Sequence, residues 1–181
     1  TGNLAALLSE QGDAAAALPL MRRVLAGREA NIGAEHSFTL IAVGNLAVTL
    51  KRLHQFDEAE ALYRRALAGT EARHGPTHPH TVIPVWKLAI FLEHKRKQYA
   101  EAAALFRRAA GGAAANPENA KCRGILGDNL LAEAAKCDLH ASYKLLEHGR
   151  SDEAEALHRR VFAEMEARLG PTHPDTVDVE W

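Results

Sequence analysis

Phe56-Asp57-Glu58-Ala59-Glu60-Ala61-Leu62-Tyr63-Arg64-Arg65-Ala66-Leu67, closed further on by Gly75-Pro76-Thr77-His78-Pro79, is written into this chain more than once. At a shift of 95 the same text returns as Asp152-Glu153-Ala154-Glu155-Ala156-Leu157, and then as Gly170-Pro171-Thr172-His173-Pro174. At a shift of 42 toward the start, Leu62 to Leu67 falls on Leu20-Met21-Arg22-Arg23-Val24-Leu25. Asn45-Leu46-Ala47 falls on Asn3-Leu4-Ala5, and Gly75, His78 and Thr81 fall on Gly33, His36 and Thr39. A further unit carries one inserted residue: Leu88-Ala89 keeps the shift of 42, whereas Tyr99-Ala100-Glu101-Ala102 and Arg107-Arg108 match at 43. Self-similarity at such a period marks a stack of small structural units, each burying its apolar face on its neighbours.

Each unit reads as two helices. Leu46, Leu50 and Leu53 give the 3,4 spacing of one apolar stripe, His54-Gln55 a polar turn, and Ala59, Leu62, Tyr63, Ala66 and Leu67 the stripe of a second helix. The recurrent Ala17, Ala59, Ala102 and Ala154 are small residues where paired helices would approach closely. Asp57 and Asp152 suit the positive start of a helix, Gly75 its end, and Thr77-His78-Pro79 the next start, with Thr as the expected N-cap. Thr172 and Asp175 would form an acidic capping box.

Composition agrees with this reading. Ala supplies 35 of the 181 residues and aromatics only 6%, which favours closely packed helices over β-sheets. Lys+Arg of 22 against Asp+Glu of 23 disfavours a general nucleic-acid binder. No run approaches the ~18 apolar residues of a membrane-spanning helix. Cys122 and Cys137 have neither disulfide-framework nor zinc spacing. On one helix they would stand ~22 Å apart. Two free thiols fit a reducing compartment, the cytoplasm or an organelle interior after loss of a targeting segment.

These motifs resemble the tetratricopeptide repeat in its long, 42-residue, kinesin-light-chain-like form, read here as Asn45-Leu46-Ala47…Leu50…Phe56 to Leu67…Gly75…His78-Pro79…Thr81. The resemblance implies an all-α, right-handed α-α superhelix of about four units. They divide as unit 1 over 1–36 with a truncated start, unit 2 over 37–78, unit 3 over 79–117, unit 4 over 118–173, and the start of a further unit over 174–181. Thr1 maps onto Val43 and Trp181 onto Trp86, so both ends are expected inside a first helix of a longer array.

Several positions depart from the pattern. Pro19 and Pro84 fall inside helices and are expected to kink them. In unit 3 the junction is replaced by Gly111-Gly112-Ala113-Ala114-Ala115-Asn116-Pro117, so its second helix should end early. Unit 4 then carries a surplus of about 15 residues, roughly four helical turns, which makes 118–149 an overlong helix or two pieces broken near Gly124 and Gly127.

Candidate chemistry is sparse. His74, His78 and His80 cluster, but His36, His78 and His173 recur at one phase, which reads as a helix-start role; no metal is expected. The pairs Arg22-Arg23, Arg64-Arg65, Arg107-Arg108 and Arg159-Arg160 sit near acids and read as solvated i,i+4 or longer networks. The basic turn Lys95-Arg96-Lys97 after His94 offers charge for an acidic partner. There is no phosphate loop and no Gly-x-Ser-x-Gly elbow, so neither cofactor nor catalysis is expected.

In arrays of the resembled type the first helices line the concave face. The repeat register then places Asn3, Asn45, Lys87 and His140 in one column, and Ala6, Val48, Ile90 and Tyr143 one turn on. Trp86 stands beside Lys87. Asn3, Asn45, Val48, Trp86, Lys87, Ile90, His140 and Tyr143 are therefore the expected partner-binding residues, suited to an extended or helical peptide. Only Asn3 and Asn45 match the cargo-touching Asn column of the resembled family. The carboxylate clamp of chaperone-tail binders is matched at two of five places, Asn45 and Lys87, so heat-shock chaperone tails are not expected to bind through it. The expected function is a non-catalytic protein-interaction scaffold. A structural subunit of a larger assembly is favoured over a groove-binding adaptor, on the strength of the ends and the 118–149 surplus.

Overall fold

A computed structural model describes residues 13–116 and 129–172, with Leu8, Glu118 and Thr176 besides. Asn3, Cys122, the region around Gly124 and Gly127, and the start of a further unit after Thr176 lie outside the described residues, as does the Thr172–Asp175 box through its acid. Seven α-helices are described: α1 Ala14–Ile32, α2 Ser37–Arg52, α3 Phe56–His74, α4 Pro79–Phe91, α5 Tyr99–Ala114, α6 Asn129–Glu147 and α7 Ser151–Leu169. Each packs chiefly on the next in sequence, the quasi-one-dimensional contact pattern of a solenoid. Thus α2, α4 and α6 are first helices, and α1, α3, α5 and α7 second helices.

Local signals explain the boundaries. Asp57 and Glu58 in the first turn of α3, and Arg73 and His74 in its last, complement the helix dipole. Gly33, Gly75 and Gly170 end their helices at φ of 87–89°, where an L-side chain would be strained. The N-caps differ from expectation. His36 and His78 cap α2 and α4, the latter in place of the expected Thr77, each accepting on Nδ1 from the backbone N–H two residues on. The recurrent threonines that matter come later: Thr39 and Thr81 donate their hydroxyls to the carbonyls of Gly33 and Gly75, tying each helix start to the preceding helix end. Pro19 and Pro84 each lie within one continuous helix.

The single inserted residue of the third unit has a visible outcome. α4 runs straight into a π-helical turn, Leu92–Arg96, the usual way a helix absorbs one extra residue. As expected, α5 ends early, at Ala114; Asn116 then donates to the carbonyls of Gly112 and Thr77, replacing the lost Gly-Pro junction.

The core is one continuous cluster from Met21 to Cys137, with a smaller one at Ala135, Val161 and Met165. Ala17, Ala59, Ala102 and Ala154 are all fully buried. Two glycines at a matching phase extend that role. A Cβ on Gly69 would stand 2.5 Å from Leu40 Cδ2, and one on Gly112 2.8 Å from Val82 Cγ2. Gly112→Leu should therefore destabilise by about 1–3 kcal/mol through overpacking. Gly111→Ala, next door with nothing within 4 Å of the new methyl, should stabilise by about 1 kcal/mol. Urea melts of the two variants check the contrast, and equal midpoints would refute the close approach.

The Arg-Arg pairs do more than brace their own helices. Arg22 of α1 reaches Glu58 of α3 at 2.8 Å, and Arg64 of α3 reaches Glu101 of α5 at 2.6 Å. In the reverse sense Arg65 reaches back to Glu29 at 2.6 Å, and Arg108 back to Glu71. Successive second helices are thus laced by a ladder of partly exposed ion pairs. Each is individually weak. At the far end Asp138 of α6, only 3% exposed, holds Arg107 of α5 at 2.5 Å and Arg160 of α7 at 2.9 Å, while Glu164 also binds Arg107.

Candidate functional site: the open face of the first helices

On α2 Phe38, Ile41, Asn45 and Val48 follow a 3,4,3 spacing along one face. Phe38 is 61% and Ile41 53% exposed, unusual for apolar side chains of this size. Arg28 donates to the Phe38 carbonyl at 2.5 Å, fixing that backbone to α1 while its ring stays outside. Asn45 is exposed, and Val48 is half-buried against the core. On α4 the same register brings Trp86, Lys87 and Ile90, all half-buried, with Trp86 and Ile90 packed on the core cluster. On α6 it brings His140 and Tyr143, both exposed. Tyr143 is 58% exposed and meets His158 edge-on at 6.0 Å. His140 stacks on Tyr99 of α5 with ring centres 5.0 Å apart, and its Nδ1 lies 2.8 Å from the Lys136 carbonyl.

The expected binding residues within the described helices therefore share one register. Asn3 lies outside the described residues. Phe38 and Ile41 were missed by the column reading, although their spacing from Asn45 signals them.

The basic turn divides into three fates. Arg96 is held by Asp57 at 3.0 Å and Glu60 at 2.7 Å. Lys95 lies near enough to Lys51 for its charge to act on it: the Lys51 ammonium is depressed first by burial, then by Lys95, Arg52 and Lys87. Burial likewise depresses Lys87. Lys51, also missed, therefore joins Lys87 and Lys95 in a cationic zone reaching from the open face to the turn. Lys97 lies on the other side of the turn, beside Tyr99 and α6.

His74, His78 and His80 do come together, with ring centres 4.8–5.3 Å apart. His74–His78 and His78–His80 are stacked within 19° of parallel, so their in-plane nitrogen lone pairs do not meet at a common point. Among the described residues no group of three or more His, Cys, Asp or Glu is placed to hold a metal ion. Cys137 is fully buried, and burial, followed by the charges of Glu93, Glu133 and Asp138, pushes its thiol up to about 12. It is a packing residue, not a nucleophile.

Two histidines give a pH prediction. Burial, then the charges of His78, His80 and Arg73, lowers His74; burial lowers His158 against a backbone hydrogen bond at Ala154. The unfolded chain then binds more protons than the folded one below the ordinary imidazole pKa of about 6.5. Their contribution to stability is complete above that value and is lost as pH falls toward the depressed folded values. Thermal melting should shift down between pH 7.5 and 5.5, and His74→Gln should flatten the slope. A flat profile for the parent chain would contradict the shifts.

Among the described residues no helix is long and apolar enough to cross a membrane. A tetratricopeptide repeat family model matches residues 1–72 and 38–115, and a second tetratricopeptide repeat model matches 145–175. No curated protein matches the chain. Among solved structures it is similar to a Podospora anserina kinesin-light-chain protein with nearly identical TPR-like repeats, with a TM-score of 0.58 at 19% identity over 98% of this chain and 79% of that one. A point-substituted form of that protein matches equally well, over 78% of its length. BtubC (BKLC) from P. vanneervenii is similar with a TM-score of 0.55 at 21% identity, over 94% of this chain and 63% of that one. At these identities the likeness concerns the fold.

Proposed function

The chain belongs to the tetratricopeptide repeat family, a repeat scaffold for protein–protein contacts, and from that premise we propose that it docks a peptide segment of a partner protein on the open face of α2, α4 and α6. One observation carries this reading. Of the four large apolar side chains most exposed among the described residues, Phe38, Ile41 and Tyr143 stand on first helices at the groove register, and only Ile32 does not. Large apolar side chains exposed together on one face mark an interaction site. Asn45, one turn beyond Ile41, supplies a donor and an acceptor for a peptide backbone, and Lys51, Lys87 and Lys95 add positive charge. A segment that is apolar toward Phe38 and Ile41 and acidic toward Lys87 fits this face.

The assembly-subunit reading rests on the chain ends and on the 118–149 surplus, whose first part lies outside the described residues; the described helices favour the face. The test is a peptide library selected on the purified chain. Asn45→Ala should weaken the selected peptides about fivefold, the worth of one hydrogen bond of ~1 kcal/mol. Undiminished binding to Asn45→Ala, or a library yielding no binder, would count against it.

A further inference from the structure

A second recess borders that face at α6, where His140 stacks on its Tyr99. It has a volume of about 600 Å³, and Arg64 of α3, Lys97, Gln98, Tyr99, Ala100 and Glu101 at the start of α5, Ala141, Lys144, Leu145 and His148 of α6, and Arg150 and Leu157 at the start of α7 line it. None of these is an expected groove residue. The size falls within the ordinary range of ligand sites, about 300–1,000 Å³.

The charges of the lining do not balance. Its one acid, Glu101, is engaged by both terminal nitrogens of Arg64, at 2.6 and 3.0 Å. That bidentate grip holds the Glu101 carboxyl below its ordinary range. Arg150 is likewise engaged by Glu153, at 2.7 and 2.6 Å. Lys97 and Lys144 remain, and neither meets a carboxylate among the described residues. The Lys144 ammonium instead stands over the Tyr99 ring, 5.2 Å from its centre. His148 lies beside them, its Nδ1 2.6 Å from the Lys144 carbonyl. Between the cations the wall is apolar, made of Ala100, Ala141, Leu145, Leu157 and the Tyr99 ring.

Lys97 closes the π turn in the left-handed region at φ 57°, the conformation that His54 (φ 59°) and Gly149 (φ 72°) adopt at the same phase of their units. The turn of the repeat thus fixes where its side chain starts, and its ammonium supplies half of the recess's uncompensated charge.

We infer that this recess is a second docking site, which takes an acidic segment of a partner protein: adjacent carboxylates toward Lys97 and Lys144, and a flanking apolar side chain on Leu145 and Leu157. Charge complementarity selects the carboxylates and the apolar wall selects the neighbour. A nucleic acid would need a longer basic track than two free lysines.

The test uses a fluorescein-labelled peptide, Gly-Leu-Glu-Glu-Leu-Glu-Gly, and its counterpart with Gln for every Glu, titrated with the full chain in low salt and followed by anisotropy. The acidic peptide should bind and the Gln peptide should bind at least about tenfold more weakly, with the difference shrinking as salt is raised. The double variant Lys97→Glu/Lys144→Glu should lose at least about tenfold for the acidic peptide. Lys144→Met, which keeps the apolar stem, should lose part of it. Arg23→Glu, an exposed charge reversal on α1 outside both the recess and the open face, should leave binding unchanged. Melting curves of all variants confirm that they fold, since Lys97 and Lys144 are exposed. Absence of binding, equal affinity for the Gln peptide, or an intact response in the folded double variant overturns the inference. Loss on Lys87→Glu instead would assign the acidic peptide to the open face, refuting this site while leaving the proposed function standing.

Discussion

Phe106→Ala should lower the stability of the chain by about 3–5 kcal/mol, the cost of emptying a fully enclosed aromatic site. Phe106 is 1% exposed in the middle of α5, inside the cluster that also takes in Leu130 and Ala134 of α6. Because each helix contacts mainly its sequence neighbours, the loss should be local at first. The part of the array beyond α5 should loosen before the rest, broadening the urea transition or splitting it in two. Ile32→Ala is the control: Ile32 is 43% exposed, and its truncation should cost within about 0.5 kcal/mol. Equilibrium urea melts followed by circular dichroism read both. Equal midpoints for Phe106→Ala and the parent chain would contradict the packing of α5 on α6.

The second large effect concerns binding. Phe38→Ser with Ile41→Ser should weaken a peptide docked on the open face by roughly thirtyfold, as expected for removal of a central apolar anchor worth about 2 kcal/mol. Both residues are more than half exposed, so the melting temperature should barely move. A fall in affinity with an unchanged melt separates a contact residue from a structural one. Affinity that survives the double substitution would place the anchor elsewhere.

Most of the fold was legible because the repeat states it several times. Ala17, Ala59, Ala102 and Ala154 announce buried contacts by recurring, and Gly75 announces a helix end by its phase. The misread cap shows the limit. Thr77-His78-Pro79 contains two side chains able to accept a backbone N–H, and repetition does not say which backbone will turn toward which; His78 takes the cap, and Thr81 ties the turn instead. The inserted residue of unit 3 was visible as a change of shift from 42 to 43, but not its absorption as a π turn, which depends on how Leu92 is held in the core. The ion-pair ladder was legible only as Arg-Arg next to acids. That Arg64 reaches Glu101, 37 residues on, follows from the spacing of successive second helices, which one helix does not encode. The open face was half legible. Register found Asn45, Lys87 and Tyr143, while Phe38 and Ile41 were passed over because apolar side chains at helical spacing usually mean core. The recess beside Lys97 was not legible, since it is made by side chains of four helices, α3, α5, α6 and α7, whose relative placement no single helix encodes.

The central claim is that the open face of α2, α4 and α6 is where a partner segment docks. Hydrogen exchange with a library-selected peptide bound and free tests it most directly, read helix by helix. A segment docked there should slow exchange in α2, α4 and α6 and leave the second helices α1 and α3 unchanged. Protection confined to the second helices, with α2 and α4 exchanging as in the free chain, would contradict it.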